Sequence, residues 1–207
     1  SSDVCSSDLE DDKPDERFKQ GVTLTLEYGY LIPIPGNIYS ENLDYSVEVD
    51  GLTGMKFDFI AGYQINPYLS LGIGVGGVNG GSYHASQGGG DFYCIPFFAD
   101  INVCFLNKRI TPYFSFGIGY SAEFHTGPNE AYPNTFNFVN GGLYLNPDIG
   151  LRFNISKKFA LSADIGYDRQ KIKYLDNCYG PCDIQIIDFI HAGSLNIGVS
   201  YKFEKPH

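Results

Sequence analysis

The 207-residue chain contains no tryptophan, a single methionine and few charged residues, which make up 18% of it. A soluble domain usually carries about 25% charged residues. The chain also lacks a long apolar run. No Asp, Glu, Lys or Arg occurs from Phe59 to Gly90, but glycines, Asn66 and Pro67 interrupt that segment. A transmembrane helix needs about 20 consecutive apolar residues, so a helical membrane protein is excluded. The 25 glycines also argue against a helical bundle.

Positive charge is scarce as well, since 14 Lys and Arg residues face 24 Asp and Glu residues, for a formal net charge of −10. This excludes a general nucleic-acid-binding protein, which needs a basic face for phosphates. Residues 1–19 hold seven acidic and three basic residues without hydrophobic periodicity. We interpret them as a flexible acidic lead-in that is partly non-native, because Ser-Ser-Asp occurs twice within eight residues. They lack the basic start and apolar centre of a signal peptide.

What the sequence does contain is strict alternation of apolar and polar residues. In residues 69–76, for example, Leu, Leu, Ile and Val alternate with Ser and Gly. Such alternation predicts a β-strand with one apolar face, and no helical period competes with it. The alternating segments are residues 22–30, 55–64, 69–76, 95–105, 114–121, 143–155, 161–168 and 194–203. The sequence therefore predicts eight amphipathic strands.

The connections between these strands alternate between short and long. Short polar turns occupy residues 66–67, 107–109 and 156–158. Long connections occupy residues 34–50, 81–91, 125–141 and 171–188. Strict alternation of this kind predicts antiparallel neighbours, with every short turn and both termini at one end and every long loop at the other.

An even number of antiparallel strands, each of about 9–11 residues or more, is what a transmembrane barrel requires. The sheet must close on itself, because lipid cannot hydrogen-bond an open strand edge. A soluble barrel or sandwich would turn its apolar face inward. Here the polar face carries the small Gly and Ser residues that fit a narrow lumen. We predict an all-β, eight-stranded antiparallel up-and-down transmembrane β-barrel over residues 20–203, followed by a tail of residues 204–207.

The last strand, residues 195–203, alternates apolar residues and ends in Tyr201-Lys202-Phe203. It is similar to the carboxy-terminal signal of bacterial outer-membrane barrels. Residues 20–203 resemble the small eight-stranded barrels of the OmpX and OmpA type, and particularly the outer-membrane β-barrel domains of Bacteroidota. Residues 111–120 and 147–153 carry the same likeness. The tail departs from it by placing the last aromatic residue four positions before the end.

The resemblance implies a monomeric protein of the Gram-negative outer membrane, with periplasmic termini and extracellular long loops. Its implied partners are the lipid bilayer, lipopolysaccharide, the barrel-assembly machinery that reads the last strand, and an unknown extracellular ligand. Nucleic acid and cofactors are not among them. Because this architecture hosts many functions, the activity has to be argued from the residues.

By alternation, ten charged residues face the lumen. They are Glu27, Lys56, Asp58, Asp100, Glu123, Asp148, Arg152, Asp164, Asp168 and Lys202. Isolated buried charges are costly, so we expect a pairing network that fills the barrel, with Lys56 and Arg152 as its hubs. The alternative is a gated, weakly cation-preferring pore, which the surplus of acidic residues favours.

The five cysteines suggest a disulfide rather than a metal site. Cys178 and Cys182 are close enough in a long connection to form a small disulfide ring, as in exported proteins. Cys94 and Cys104 lie on one strand about 33 Å apart, so they cannot pair with each other. We expect both to face the lumen. Zinc is not expected, because a second clustered pair of ligands is missing.

An enzyme that modifies lipid A is the remaining alternative. It needs a His and a Ser close together. The nearest pair, His191 and Ser194, is three residues apart on a strand, so alternation sends the two side chains to opposite faces. The sequence therefore predicts no catalytic residues. The first functional hypothesis is a structural and surface-binding role, of an adhesion type, for the long loops.

Overall fold

The structure is a computed structural model that describes the backbone of residues 20–34, 36–40, 45–49, 53–80, 91–129, 132–177 and 183–203. It describes the side chains of residues 20–34, 53–79, 93–124, 141–170 and 191–203. The acidic lead-in, the tail and the predicted disulfide between Cys178 and Cys182 lie outside the described residues.

All described regular structure is β-structure, in ten strands. The strands are β1 (Gly21–Pro33), β2 (Gly36–Ser40), β3 (Tyr45–Val49), β4 (Gly54–Asn66), β5 (Leu69–Gly80), β6 (Asp91–Cys104), β7 (Ile110–Asn129), β8 (Tyr132–Asn154), β9 (Phe159–Asn177) and β10 (Asp183–Phe203). Eight of them form a closed barrel in the order β1, β10, β9, β8, β7, β6, β5, β4, while β2 and β3 pair separately. The predicted eight-stranded antiparallel barrel is confirmed. The described part of the chain has no helical segment that could span a membrane.

Closure of the barrel depends on β1, which pairs with β10 on one side and β4 on the other. Val22 is opposite Phe203, and the register continues without a shift to Pro33 opposite Ala192. On its other edge, Tyr28 is opposite Phe57 of β4. Neither edge of the first strand is left open, so the backbone groups of both edges can be satisfied within the barrel.

Side chains close the short turns that join β4 to β5, β6 to β7 and β8 to β9. Asn66 Oδ1 accepts hydrogen bonds from the backbone N–H of Tyr68 at 2.8 Å and of Leu69 at 2.9 Å. Ser156 Oγ accepts one from the N–H of Phe159 at 3.0 Å. Polar residues that bond the backbone nearby are typical of tight turns. We call this end of the barrel, with residues 66–69, 105–110 and 155–159, the short-turn rim, and the opposite end the long-connection rim.

Two of the four predicted long loops are mostly strand. Over residues 125–141, β7 and β8 stay paired as far as Asn129 opposite Tyr132, with register shifts on the way. Over residues 171–188, β9 and β10 stay paired as far as Asn177 opposite Asp183. The sequence-based prediction was wrong here because alternation is enforced only where one face meets an apolar medium. A paired ribbon in water needs no such pattern. The first long connection also contains strands, β2 and β3.

The polarity of the barrel is the inverse of that of a water-soluble protein. Large apolar side chains of the outward-facing positions are exposed, and Ile73 reaches 71% and Ile197 64%. The interior positions hold buried Lys, Asp, Asn, Gln and Ser side chains. Among the described residues, the buried apolar cluster consists only of Ile60, Phe98 and Tyr144. The predicted assignment of the two faces of each strand is confirmed.

Candidate functional site

The structure places all ten of the predicted lumen charges on the inner face of the barrel. Eight are between 1% and 8% exposed, and these are Lys56, Asp58, Asp100, Glu123, Asp148, Asp164, Asp168 and Lys202. Glu27 and Arg152 are half-buried. Burial of so many carboxylates demands hydrogen-bond donors and counter-charges nearby. The contacts of the lumen show where those come from.

Lys56 supplies the central counter-charge. Its Nζ lies 3.3 Å from an oxygen of Asp168 and 3.6 Å from one of Asp58. It also donates to Asn146 Oδ1 at 3.4 Å. Tyr144 donates its hydroxyl hydrogen to the other oxygen of Asp168 at 3.1 Å. Because β4, which carries Lys56, lies opposite β8 in the barrel order, this network crosses the lumen from wall to wall.

A second network holds the remaining central carboxylates with uncharged donors. Asn196 Nδ2 donates to Asp164 at 2.6 Å and to Asp148 at 3.4 Å. Asn146 donates to Asp148 at 3.0 Å, and the Tyr113 hydroxyl donates to Asp164 at 2.5 Å. The two asparagines and the tyrosines are functional residues that a list of charges misses. Their inward position in the alternation is the signal that could have found them.

Arg152 does not act as the second ion-pairing hub that the sequence suggested. Its guanidinium lies 5.1 Å from the centre of the Tyr113 ring, and its Nη1 donates to Cys104 Sγ at 3.5 Å. Among the described residues it forms no ion pair. The reason is register, because its partners on the two neighbouring strands are Thr111 and Ser162 rather than carboxylates.

Aromatic side chains also fill part of the lumen. The rings of Phe98 and Tyr144 lie 5.4 Å apart, centre to centre, in a tilted arrangement. A Cβ atom added at Gly74 would meet the Phe98 ring, and one added at Gly117 would lie 3.3 Å from it. These two glycines therefore leave the space in the lumen that the Phe98 ring occupies.

Between these groups and the short-turn rim lies a small cavity of about 30 Å³. Its lining includes Thr23, Thr25, Glu27, Gln64, Asp100, Asn102, Arg152 and Ser200. A cavity of this size holds about one or two water molecules. Ser115 donates to Asp100 Oδ1 at 2.6 Å beside it.

Cys94 and Cys104 are buried and both thiols are free, as expected for inward positions on one strand. His191 and Ser194 lie on opposite faces of β10, as the alternation predicts. The His191 ring stacks on the Tyr167 ring, with 5.7 Å between the ring centres, and its Nδ1 forms a hydrogen bond with the Tyr167 hydroxyl. Ser194, in contrast, is buried in the lumen. The described residues contain no group of three or more His, Cys, Asp or Glu side chains that could hold a metal ion.

A closed antiparallel barrel with an apolar outer surface and a polar, charged interior is the architecture of a transmembrane β-barrel. The family model of the outer membrane protein beta-barrel domain matches residues 6–203. The chain therefore belongs to this family of bacterial outer-membrane proteins.

Solved structures of three small barrels are similar to this chain. Neisserial surface protein A is 16% identical, with 90% of this chain and 100% of that chain covered and a TM-score of 0.58. OprG from Pseudomonas aeruginosa is 11% identical, with 89% and 97% covered and a TM-score of 0.59. The outer membrane protein AlkL is 15% identical, with 92% and 93% covered and a TM-score of 0.53. At these identities the likeness is one of fold alone. No curated protein sequence matches the chain.

Proposed function

We propose that this outer-membrane barrel binds a partner at the cell surface through two strand hairpins that project from the long-connection rim. The observation that carries the proposal is strand length. The four strands β7 to β10 have 20, 23, 19 and 21 residues. A tilted strand needs only about 9–11 residues to cross the bilayer. The surplus of about ten residues per strand extends each hairpin ~30 Å past the membrane.

The orientation belongs to the same proposal. Short turns in the periplasm and long connections outside are the usual arrangement of such barrels. The aromatic residues at the short-turn rim support it. The ring of Tyr201 lies 4.9 Å from that of Phe159 and 4.9 Å from that of Phe203, centre to centre. Such clusters are typical of the interface girdle of a membrane barrel. The last strand, with Tyr201 and Phe203, is then the part that the assembly machinery reads in the periplasm.

The composition of the projecting segments suits a contact surface. Residues 129–138 and 174–187 combine Tyr, Phe, Asn and Pro. Aromatic residues are enriched at protein interfaces, where they provide large contact areas. An adhesion-type role fits this composition better than a catalytic one, and contact with lipopolysaccharide at the base of the hairpins accompanies it.

The test shortens the hairpins and leaves the barrel intact. One variant joins Thr126 to Phe136, which are opposite each other, through an Asn-Gly turn. A second joins Lys171 to Phe189 in the same way. Bacteria producing each variant are applied to surfaces coated with mucin, collagen or purified lipopolysaccharide. We expect at least a tenfold loss of adhesion to one coating, whereas shortening the connection at residues 81–90 leaves adhesion unchanged. Equal adhesion of all variants to all three coatings would contradict the proposal.

A weakly cation-preferring pore is the second candidate. The observation that favours it is the surplus of acidic groups in the lumen, where seven carboxylates accompany three basic side chains. In this hypothesis the Lys56 network is the gate, because it joins opposite walls. Recordings in planar bilayers test it with Lys56→Ala, for which we expect a clear rise in single-channel conductance. If Lys56→Ala and Arg152→Ala both conduct as the unchanged protein does, the gate hypothesis is wrong.

A further inference from the structure

The outer surface of the barrel contains a hollow of about 290 Å³ at Gly77. Gly77 faces outward on β5 between Phe57 of β4 and Ile95 of β6. Tyr28, Met55 and Tyr93 complete its outward-facing lining. A Cβ atom added at Gly77 would meet nothing within 4 Å, so the hollow exists because this position carries no side chain.

The local sequence explains why the surface is concave here. Leu69, Leu71, Ile73 and Val75 all project outward from the same strand before Gly77 interrupts the series. Next to Ile95 on β6, Pro96 has no N–H to donate. The pairing of β5 with β6 accordingly omits Gly76, Gly77, Ile95 and Pro96 and resumes at Val78 opposite Cys94. The wall beneath the hollow is therefore bare backbone, with the side chains of Lys56, Val78 and Cys94 turned inward and buried.

The position of the hollow in the membrane follows from strand geometry. Gly77 is eight residues from the start of β5 at the short-turn rim. Eight residues extend about 26 Å along a strand, or ~20 Å across the membrane at the usual tilt. The apolar band of such barrels is about 25 Å tall. The hollow thus lies in the half of the band next to the long-connection rim, and Asn79 and Tyr93 lie on the side of the hollow that faces this rim.

The side chains that line the hollow are apolar except on the side of Asn79 and Tyr93. Phe57, Met55 and Ile95 provide aromatic, thioether and aliphatic surface. The hydroxyl of Tyr28 is already engaged, because it donates to Met55 Sδ at 3.0 Å. An occupant must therefore be an apolar chain whose polar end points toward the rim. Because the hollow is continuous with the lipid-facing surface, such a chain can enter it directly from the bilayer.

We propose that this hollow binds one acyl chain of a bilayer lipid from the leaflet next to the long-connection rim, with the headgroup toward Asn79 and Tyr93. Elsewhere the outer surface projects side chains such as Ile73 and Phe97, against which lipid chains slide freely. At Gly77 a chain lies between the side chains of Phe57 and Ile95 and exchanges more slowly. The inference rests on the membrane location of the barrel and not on the binding role of the hairpins, so either can fail without the other.

The absence of tryptophan makes a clean fluorescence test possible. Phe57→Trp introduces a single reporter at the hollow. Leu195→Trp introduces a matched one on β10, at an outward residue that is also 51% exposed and, like Gly77, lies eight residues from the short-turn end of its strand. Both variants are reconstituted in phosphatidylcholine bilayers with increasing fractions of a lipid carrying dibrominated acyl chains, which quench tryptophan. We expect half-maximal quenching of the reporter at position 57 at a several-fold lower brominated fraction. Coincident quenching curves would overturn the proposal.

Filling the hollow gives an independent readout. In the Phe57→Trp background, Gly77→Leu should abolish the excess quenching. Gly193→Leu should keep it, because Gly193 also faces outward and an added Cβ has its nearest neighbour at 3.8 Å. Excess quenching that survives Gly77→Leu, or that appears only with a free brominated fatty acid, would show that no lipid acyl chain occupies the site. If Gly77→Leu fails to fold, the comparison of the two reporters still decides the matter.

Discussion

At the scale of single residues, the lumen is organised by one buried ammonium group. Lys56 is 1% exposed and contacts Asp58 of its own strand and Asp168 of the opposite wall. The tyrosine and asparagine donors around these carboxylates complete the network. Removing the lysine should therefore lower the stability of the barrel, because it leaves two carboxylates buried without a counter-charge.

Replacing Lys56 tests this arrangement. Lys56→Met keeps the length of the side chain but removes the charge, and we expect the free energy of unfolding to fall by about 3–5 kcal/mol. Urea titration of the protein folded in lipid vesicles measures the effect. Lys157→Met, in an exposed turn, is the matched control and should change little. A loss for Lys56→Met no larger than that of the control would show that the ammonium does not hold the network.

A second residue-scale prediction concerns the packing of Phe98. Gly74→Ala places a methyl group against the Phe98 ring, so we expect a loss of about 1–3 kcal/mol from overpacking. Combining it with Phe98→Leu should recover part of that loss, because the two sites are in contact. Gly77→Ala has open space and should be close to neutral. Additive losses in the double variant would contradict the packing account.

At the scale of elements, the ends of β7 to β10 at the long-connection rim differ most from the sequence-based prediction. Alternation identified the eight barrel strands and the inward side of each, since lipid on one side and a polar lumen on the other enforce a two-residue period. It could not identify the continuation of β7 to β10 as far as Asn129, Tyr132, Asn177 and Asp183, where the alternation of the sequence is interrupted. It also could not pair Lys56 with Asp168, because contacts across the lumen depend on the stagger of strands that are distant in sequence.

The closure of β1 onto β10 is the element-scale contact that a cross-link tests best. Thr25 and Ser200 are opposite each other, and their hydroxyl oxygens lie 2.9 Å apart inside the barrel. Thr25→Cys with Ser200→Cys should form a disulfide on mild oxidation, because opposite positions meet the distance that this bond requires. Thr25→Cys with Asn196→Cys, four residues out of register, should not. Gel mobility without reductant distinguishes them, and equal cross-linking of both pairs would contradict the register.

At the scale of the whole molecule, the decisive property is where the polar and apolar surfaces lie. The outward positions expose Leu, Ile, Val, Phe and Tyr side chains around the barrel, and the inward positions bury charges that pair across it. A water-soluble barrel with this surface would aggregate, whereas a bilayer covers it at no cost. The few charges and many glycines of the sequence have the same origin, since charged residues are excluded from the outer face and small ones are needed in the lumen.

Electrophoresis of the outer-membrane fraction, with and without boiling in dodecyl sulfate, tests whether the chain folds as a closed barrel in the outer membrane. A closed barrel resists the detergent until heated, so we expect the protein in that fraction and a faster-migrating band in the unboiled sample. Recovery in the soluble fraction with the same mobility before and after boiling would show that the chain forms no such barrel.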